Sequence, residues 1–157
     1  MEFYVNNREV IRNLAINTGT SLNPSYTAFC TTSEVSLAID GEEKDFYVFC
    51  DAIKRSVLTG VKLTISATVK IDMNNTAITT MLGDLQGLIE NGSVSQFNNV
   101  DAQFELLDEV SGTTLTYVKY QVPTVMKITS LGGAAEDEGE FELELVINGK
   151  GTKVTSS

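Results

Sequence analysis

Apolar and polar residues alternate over several stretches of the chain, and this spacing predicts half-buried β-strands. The clearest stretch covers residues 60–72, and a second covers residues 33–40. Asp40-Gly41 is a turn signal after the second stretch. Residues 46–50 are apolar on both faces, so we expect either the chain's own core or a partner subunit to cover them.

The same alternation returns in the second half of the chain. It predicts strands over residues 100–107, 114–125, 126–131 and 138–147. Many strands with one helix among them indicate an α+β, mainly β fold, a β-sandwich or barrel-like domain with one flanking helix. No linker divides the 157 residues, so a single domain over residues 1–157 is expected.

The two ends of the chain look different from its middle. Residues 1–25 are rich in Asn and Thr and have only a short apolar pattern, which predicts an N-terminal arm. Residues 148–157 are predicted to be a flexible C-terminal tail.

One stretch, residues 76–90, has apolar residues at three- and four-residue spacing, the period of an amphipathic helix. Asn74 or Asn75 can cap its start, and Asn91-Gly92 can end it. The residues predicted to face the core are Ile78, Met81, Leu82, Leu85 and Ile89.

The last predicted strand has a glutamate at every second position, a set that we call the carboxylate row. Its members are Glu138, Glu140, Glu142 and Glu144, and apolar residues alternate with them. Like charges on one face repel one another, so the row costs stability. It is either a solvated outer face or a functional surface, which Asp101 and Glu105 could join if their strand is a neighbour.

The whole chain is acidic, with 21 Asp and Glu against 11 Lys and Arg and a formal net charge of −10. This balance argues against a surface that binds nucleic acid phosphates. The only adjacent basic residues, Lys54 and Arg55, fall within residues 51–59, which we predict to be a loop. That loop is either solvated surface or a contact region.

Composition excludes most enzyme classes. The chain has no histidine, which excludes serine–histidine and cysteine–histidine mechanisms, and it has no phosphate-binding glycine motif. Cys30 and Cys50 form no Cys-x-x-Cys pair and are expected to be small buried residues. Residues 136–138 lack the residue order of a calcium loop. We therefore expect no catalytic, cofactor or metal site.

The sequence also indicates a cellular compartment. Its longest apolar run is far too short to cross a bilayer, and residues 1–4 lack the features of a secretory signal. We expect a protein that is made and kept in a cytoplasm, without a membrane partner.

Several segments occur in an order that is informative as a set. They are Ser33-Glu34-Val35-Ser36-Leu37, Phe46-Tyr47-Val48-Phe49, Asp51-Ala52-Ile53-Lys54-Arg55, Thr59-Gly60, the alternating residues 61–72, and Leu82-Gly83-Asp84-Leu85-Gln86-Gly87-Leu88-Ile89-Glu90-Asn91-Gly92. In this order they resemble the tail-tube, or major tail, proteins of long-tailed, siphophage-type bacteriophages.

The resemblance implies a structural virion protein that forms hexameric rings stacked into a tail tube for DNA. In that family an inner sheet of each subunit joins its neighbours in a closed barrel, while arms and a long loop bridge successive rings. The implied partners are further copies of the chain and the tape-measure, tail-tip and tail-terminator proteins. The implied location is the virion tail, assembled in the host cytoplasm.

These implications assign roles to two sets of residues. We expect the carboxylate row, with Asp101 and Glu105, to line the lumen, because a wall that repels phosphate lets DNA slide without binding it. We expect the bridging loop to contain Asp51, Lys54, Arg55 and Thr59.

Three other interpretations remain open. The chain could be the tube protein of a contractile tail or injection system, which belongs to the same structural class. It could be an immunoglobulin-like binding module, which would stay monomeric and hold a ligand-sized pocket. It could also be an enzyme in which two carboxylates act as acid and base across a cleft.

Overall fold

A computed structural model describes residues 4–19, 22–47 and 54–154, and the strands in it form one antiparallel sheet. The strands are β1 (Ile11–Asn17), β2 (Tyr26–Ala28), β3 (Thr32–Tyr47), β4 (Lys54–Lys70), β5 (Val100–Ser111), β6 (Thr114–Leu131), β7 (Glu140–Ile147) and β8 (Thr152–Val154). The helices are α1 (Asn7–Val10), α2 (Thr76–Asn91) and α3 (Ser95–Asn98). The mainly β fold with a flanking helix is therefore confirmed.

The sheet curls on itself and encloses the core. Its strand order is β2-β1-β5-β6-β7-β4-β3, with β8 paired to β6, and the curl brings β1 close to β3. Alternate residues of each strand point into the enclosed space, which we call the core side, and the others form the outer face. Leu14 of β1, Ile65 of β4 and Leu145 of β7 are all buried in one hydrophobic cluster.

Described parts of both end segments belong to the sheet, so the predictions for these segments were wrong in part. Residues 7–17 form α1 and β1 rather than an arm, and β1 pairs with both β2 and β5. The apolar alternation of β1 is broken because the pairing shifts between Arg12 and Ala15, where Asn13 has a φ of 54°. Within the predicted tail, β8 pairs with β6.

β3 and β4 are much longer than predicted and form one extended hairpin. The predicted turn at Asp40-Gly41 is wrong, because these residues lie inside β3 and are paired with Lys62 and Val61. The predicted loop over residues 51–59 is also wrong from Lys54 onward, because β4 begins there. Residues 48–53, including Cys50 and Asp51, lie outside the described residues.

The outer part of this hairpin extends beyond the body as a two-stranded ribbon. β4 pairs with β7 only over residues 64–70, so in the described chain residues 54–63 pair with β3 alone. We use the word ribbon for residues 39–47 of β3 and 54–63 of β4. An isolated pair of strands has little stability in water unless something packs against it.

Helix α2 has the caps that the sequence predicts, but only its first half is buried. The Asn75 side chain accepts a hydrogen bond from the backbone N–H of Ala77, and Gly92 ends the helix in the left-handed conformation with a φ of 65°. Ile78 and Met81 are fully buried, as expected.

No helix in the described ranges is long and apolar enough to span a membrane.

The predicted core face is wrong in the second half of α2. Ile89 is 75% exposed, and Leu85 is half-buried outside the core cluster of the described residues. Leu82 packs against that cluster as predicted, and Leu88, which is not in the predicted set, does so as well. The helix therefore buries its N-terminal turns most deeply, whereas in its last turns Leu88 still contacts the core and Ile89 is exposed.

Candidate assembly surfaces

The carboxylate row lies on the outer face of β7, in the middle of the sheet. β7 pairs with β4 on one side and with β6 on the other. Within it Glu140 and Glu142 are exposed and Glu144 is half-buried, while the apolar residues between them are buried. Glu138 does not belong to the strand, since β7 begins at Glu140.

Lysines of the neighbouring strands stand beside the row. Lys70 on β4 is directly opposite Glu140, and Lys127 on β6 is directly opposite Glu144. Lys70 also forms a 2.9 Å ion pair with Glu138, and this hydrogen bond raises the pKa of the lysine. The face is therefore mixed in charge, and only the strand pairing shows it.

Small polar residues separate the acids on this face. Ser66 and Thr68 of β4 lie between Glu34 and Ser36 on β3 and the row on β7. Their short side chains leave a shallow outer trough of about 280 Å³. Its lining residues are Glu34, Ser36, Ser66, Ala67, Thr68, Thr129, Glu142, Leu143 and Glu144.

Asp101 and Glu105 do not join the row, because their strand is not its neighbour. Both lie on β5, which is separated from β7 by β6. The Glu105 carboxylate is also occupied: it accepts hydrogen bonds of 2.8 Å from the Arg12 guanidinium and from the Asn13 side chain. The structure therefore gives this acid a role in holding β1 to β5.

A polar network around Arg12 attaches the start of the chain to the sheet. The Arg12 guanidinium carbon lies 3.4 Å from the centroid of the Tyr117 ring, a cation–π contact. The Tyr117 hydroxyl donates a hydrogen bond to the carboxylate of Glu9. This hydrogen bond, more than burial, raises the pKa of Tyr117. Arg12 was not singled out from the sequence, because its partners are far away along the chain.

The ribbon exposes apolar side chains that nothing in the described chain covers. Ile39, Leu58 and Val61 are 67%, 58% and 49% exposed, and the register sets all three on the core side of the hairpin. They extend the apolar track of Val35 and Leu37 past the end of the body. An exposed apolar stripe of this kind is a candidate surface for contact with another chain.

Gly41 and Leu58 pack closely within this stripe. A Cβ atom at Gly41 would lie 2.6 Å from Cδ1 of Leu58, so a larger residue at this position would require the exposed Leu58 side chain to move. Thr59 has no register partner at the bulge here, and its hydroxyl donates to the backbone oxygen of Glu42 at 3.2 Å. Of the predicted bridging residues, Lys54 and Arg55 open β4 at the far end of the ribbon.

Two edges of the section β3-β4-β7-β6 carry no strand in the described chain. β3 pairs with β4 alone, so its other edge is open. The pairing of β6 with β5 ends at Thr124, and from residue 125 to Leu131 β6 pairs with β7 on one side only. Open strand edges are templates for pairing with another chain.

A groove of about 810 Å³ lies where the curled sheet fails to close, between β1 and β3. Its apolar lining includes Ile11, Leu14, Phe29 and Val35, with Leu37 where the ribbon begins. The volume is within the range of small-molecule pockets. The described residues contain no group of three or more potential metal ligands, in this groove or elsewhere.

No protein-family model matches the sequence, and no curated protein matches it significantly. Solved structures do match over nearly the whole chain. A chain from the tail of an empty gene transfer agent particle with C6 symmetry matches with a TM-score of 0.58 and 14% identity, covering 97% of this chain and all of that one. A chain of the SPP1 tail tube matches with a TM-score of 0.57 and 11% identity, covering 92% of this chain and 76% of that one.

A third match comes from an extracellular contractile injection system, the PVC sheath–tube complex in its extended state. Its TM-score is 0.51 at 14% identity, and 93% of this chain and 90% of that chain are covered. At these identities the likeness is one of fold. The chain therefore has the fold found in a phage tail tube, which the sequence resemblance implied.

Proposed function

We propose that this protein is a structural subunit that polymerises into the tail tube of a virion, a conduit for DNA. One observation carries the proposal: the section β3-β4-β7-β6 has two open strand edges and an uncovered apolar ribbon, within the fold of the SPP1 tail tube. Both features are unfavourable for a monomer. The open edges are paired when copies join edge to edge, and the ribbon is covered when the resulting rings stack.

In this assembly, six copies form a ring, and their four-stranded sections join in a closed barrel around the lumen. The C6 symmetry of the gene transfer agent tail supports sixfold rings for a chain of this fold. The outer face of the section, with Glu140, Glu142 and Glu144, then faces the lumen. Acids outnumber Lys70 and Lys127 there, so the wall repels DNA phosphates without forming strong sites.

The ribbon bridges successive rings. It projects from one end of the section, and the acidic turn with Glu136 and Asp137 lies at the other end, before β7. When rings stack head to tail, Lys54 and Arg55 of one subunit approach carboxylates of the next ring. Tape-measure, tail-tip and tail-terminator proteins are the further partners of such a tube, and the virion tail is its location.

A tube in a contractile injection system is the second candidate. The match to the PVC sheath–tube complex favours it, although its TM-score is lower than that of the SPP1 tail tube. In that case an outer sheath would be a further partner. Both candidates require the chain to polymerise.

Electron microscopy of the concentrated, purified protein tests the proposal. We expect hollow tubes built from stacked rings, with the outer face of β7 toward the channel. Persistent monomers at all concentrations would contradict tube formation, and glutamates of the row on the outside of the tube would contradict the lumen assignment.

The bridging role is tested by replacing both Lys54 and Arg55 with glutamate. We expect folded protein whose rings fail to extend into long tubes, because the contact across rings loses its charge attraction. Glutamate at the exposed Lys150 and Lys153 is the matched control, since it makes the same charge change away from the ribbon. Long tubes from the first variant would show that the basic pair is ordinary surface.

A further inference from the structure

We propose that Lys127 determines which strand edges join when two copies meet, by pairing with acids on the open edge of β3 of the neighbouring copy. This inference rests on the proposed tube, and it specifies the contact within a ring. The partner is a second copy of the chain. It is recognised by backbone hydrogen bonds between two strand edges, and opposite charges select which edges pair.

The directions of the strands permit the open edge of β6 in one copy to pair with the open edge of β3 in the next, a contact that we call the joint. Each strand of the section is antiparallel to the next, so β3 and β6 at its two edges run in opposite directions. When two copies stand side by side in the same orientation, the open edge of β6 therefore meets the open edge of β3 as an antiparallel pair. The alternating pattern then continues from one copy to the next without a break.

Charge distinguishes the two edges. The outer face of β3 carries the exposed acids Glu34, Asp40 and Glu42, with Lys44 beyond them, whereas the open part of β6 carries the exposed Lys127. In the described chain Lys127 forms no ion pair within 4 Å, although Glu144 is directly opposite. Its charge remains available to a neighbour.

The exact register of the joint does not decide the contact. Side chains alternate between faces, so Lys127 can stand opposite only every second residue of β3, from Glu34 to Glu42. Each of these positions is an acid or is diagonal to one, within reach of a lysine. Pairing of β3 with β3 would instead bring two sets of acids together on one face, which is unfavourable. The charges therefore favour head-to-tail contacts, and these are the contacts that generate closed rings.

The test compares the critical concentration for assembly, measured by sedimentation, among charge variants whose folding is checked by circular dichroism. Lys127→Glu should raise it roughly tenfold, which corresponds to about 1.4 kcal/mol per contact. The double variant Glu34→Lys, Glu42→Lys should do the same, and neither position stands opposite a lysine in its own hairpin. Combining all three changes should restore assembly, because the joint regains opposite charges. Lys127→Gln should be intermediate and less sensitive to salt than the wild type.

Lys70→Glu is the matched control, since Lys70 also stands opposite a glutamate of the row but lies on β4, inside the section. It should assemble at close to the wild-type concentration. Equal effects of Lys127→Glu and Lys70→Glu, or a triple variant no better than Lys127→Glu, would overturn the inference and leave the tube intact. A wild-type protein that never polymerises would overturn the proposed function and this joint together.

Discussion

Lys127 on β6 and Glu144 on β7 stand directly opposite each other in the sheet. A lysine therefore borders a row that appears purely acidic in the sequence. Lys70 borders the other side of β7, opposite Glu140. Glu140, Glu142 and Glu144 thus outnumber the two lysines beside them, and replacing these three glutamates with lysine would reverse that balance.

We predict that replacing Glu140, Glu142 and Glu144 with lysine leaves the fold intact and makes tubes bind DNA. Their side chains lie on the outer face, so substitution removes no core contact. With Lys70 and Lys127 beside them, the new lysines form a basic patch, and binding should weaken steeply with salt. Filter binding to purified tubes measures affinity, and ejection from assembled particles should slow.

The matched control changes Glu90, Asp108 and Glu109 to lysine. All three are exposed and lie on α2 and the end of β5, away from the row. The net charge change is the same, so DNA binding by this variant at an equal level would show that the row has no special position relative to DNA.

Helix α2 provides a second prediction, because its two halves differ in burial. Met81→Ala should lower the free energy of unfolding by about 2–5 kcal/mol, as truncation of a large buried side chain does, since Met81 is 1% exposed. Ile89→Ala should change it by less than about 0.5 kcal/mol. Urea denaturation of the two variants measures both values, and similar losses would contradict the placement of the helix.

Local patterns in the sequence predicted α2 and its caps correctly, because Asn75 and Gly92 act through neighbouring residues. They failed where distant pairing decides the structure. Asp40-Gly41 has turn chemistry, yet pairing with β4 keeps it extended. Ile89 continues the three- and four-residue spacing of apolar residues, but this spacing does not show which turns of a helix pack against the core.

The dependence on distant strand pairing also explains which parts of the candidate site the sequence did not predict. Alternation placed Glu140, Glu142 and Glu144 on one face, as the structure does. Which strands flank β7 is a matter of topology, so Lys70 and Lys127 could not be assigned to that face in advance. For the same reason, the sequence allowed Asp101 and Glu105 to be grouped with the row, since it does not reveal that β6 lies between β5 and β7.

A third prediction concerns stability at alkaline pH. The hydrogen bond from Tyr117 to Glu9 favours the protonated phenol, so its pKa is raised above the usual 10.0. The stabilisation is complete below pH 10 and is lost as the pH rises through the raised pKa of the folded state. Tyr117→Phe should therefore be less stable than wild type at neutral pH, and the difference should shrink at higher pH.

Thermal melts of both proteins from pH 8 to 11 measure this difference. Tyr120→Phe is a suitable control, because Tyr120 lies on the same strand and packs against Phe104 on the core side. A difference between wild type and Tyr117→Phe that stays constant over this range would contradict the link to Glu9.

The last prediction separates folding from assembly at the ribbon. Replacing Ile39, Leu58 and Val61 with threonine should leave the monomer folded and abolish long tubes. The three side chains are about half exposed or more, so little core contact is lost, and threonine keeps the strand preference of a β-branched residue.

In an assembly the same side chains are the apolar surface that a neighbouring copy would bury. Burial of a large aliphatic side chain is worth about 1.5–3 kcal/mol, so losing three per subunit should prevent ring stacking. Ile65→Thr is the contrasting control, because Ile65 lies on the same strand but is completely buried, and its replacement should destabilise the monomer itself. Circular dichroism reports folding and electron microscopy reports tubes. If the triple threonine variant forms tubes of normal length, the ribbon is not the bridge between rings.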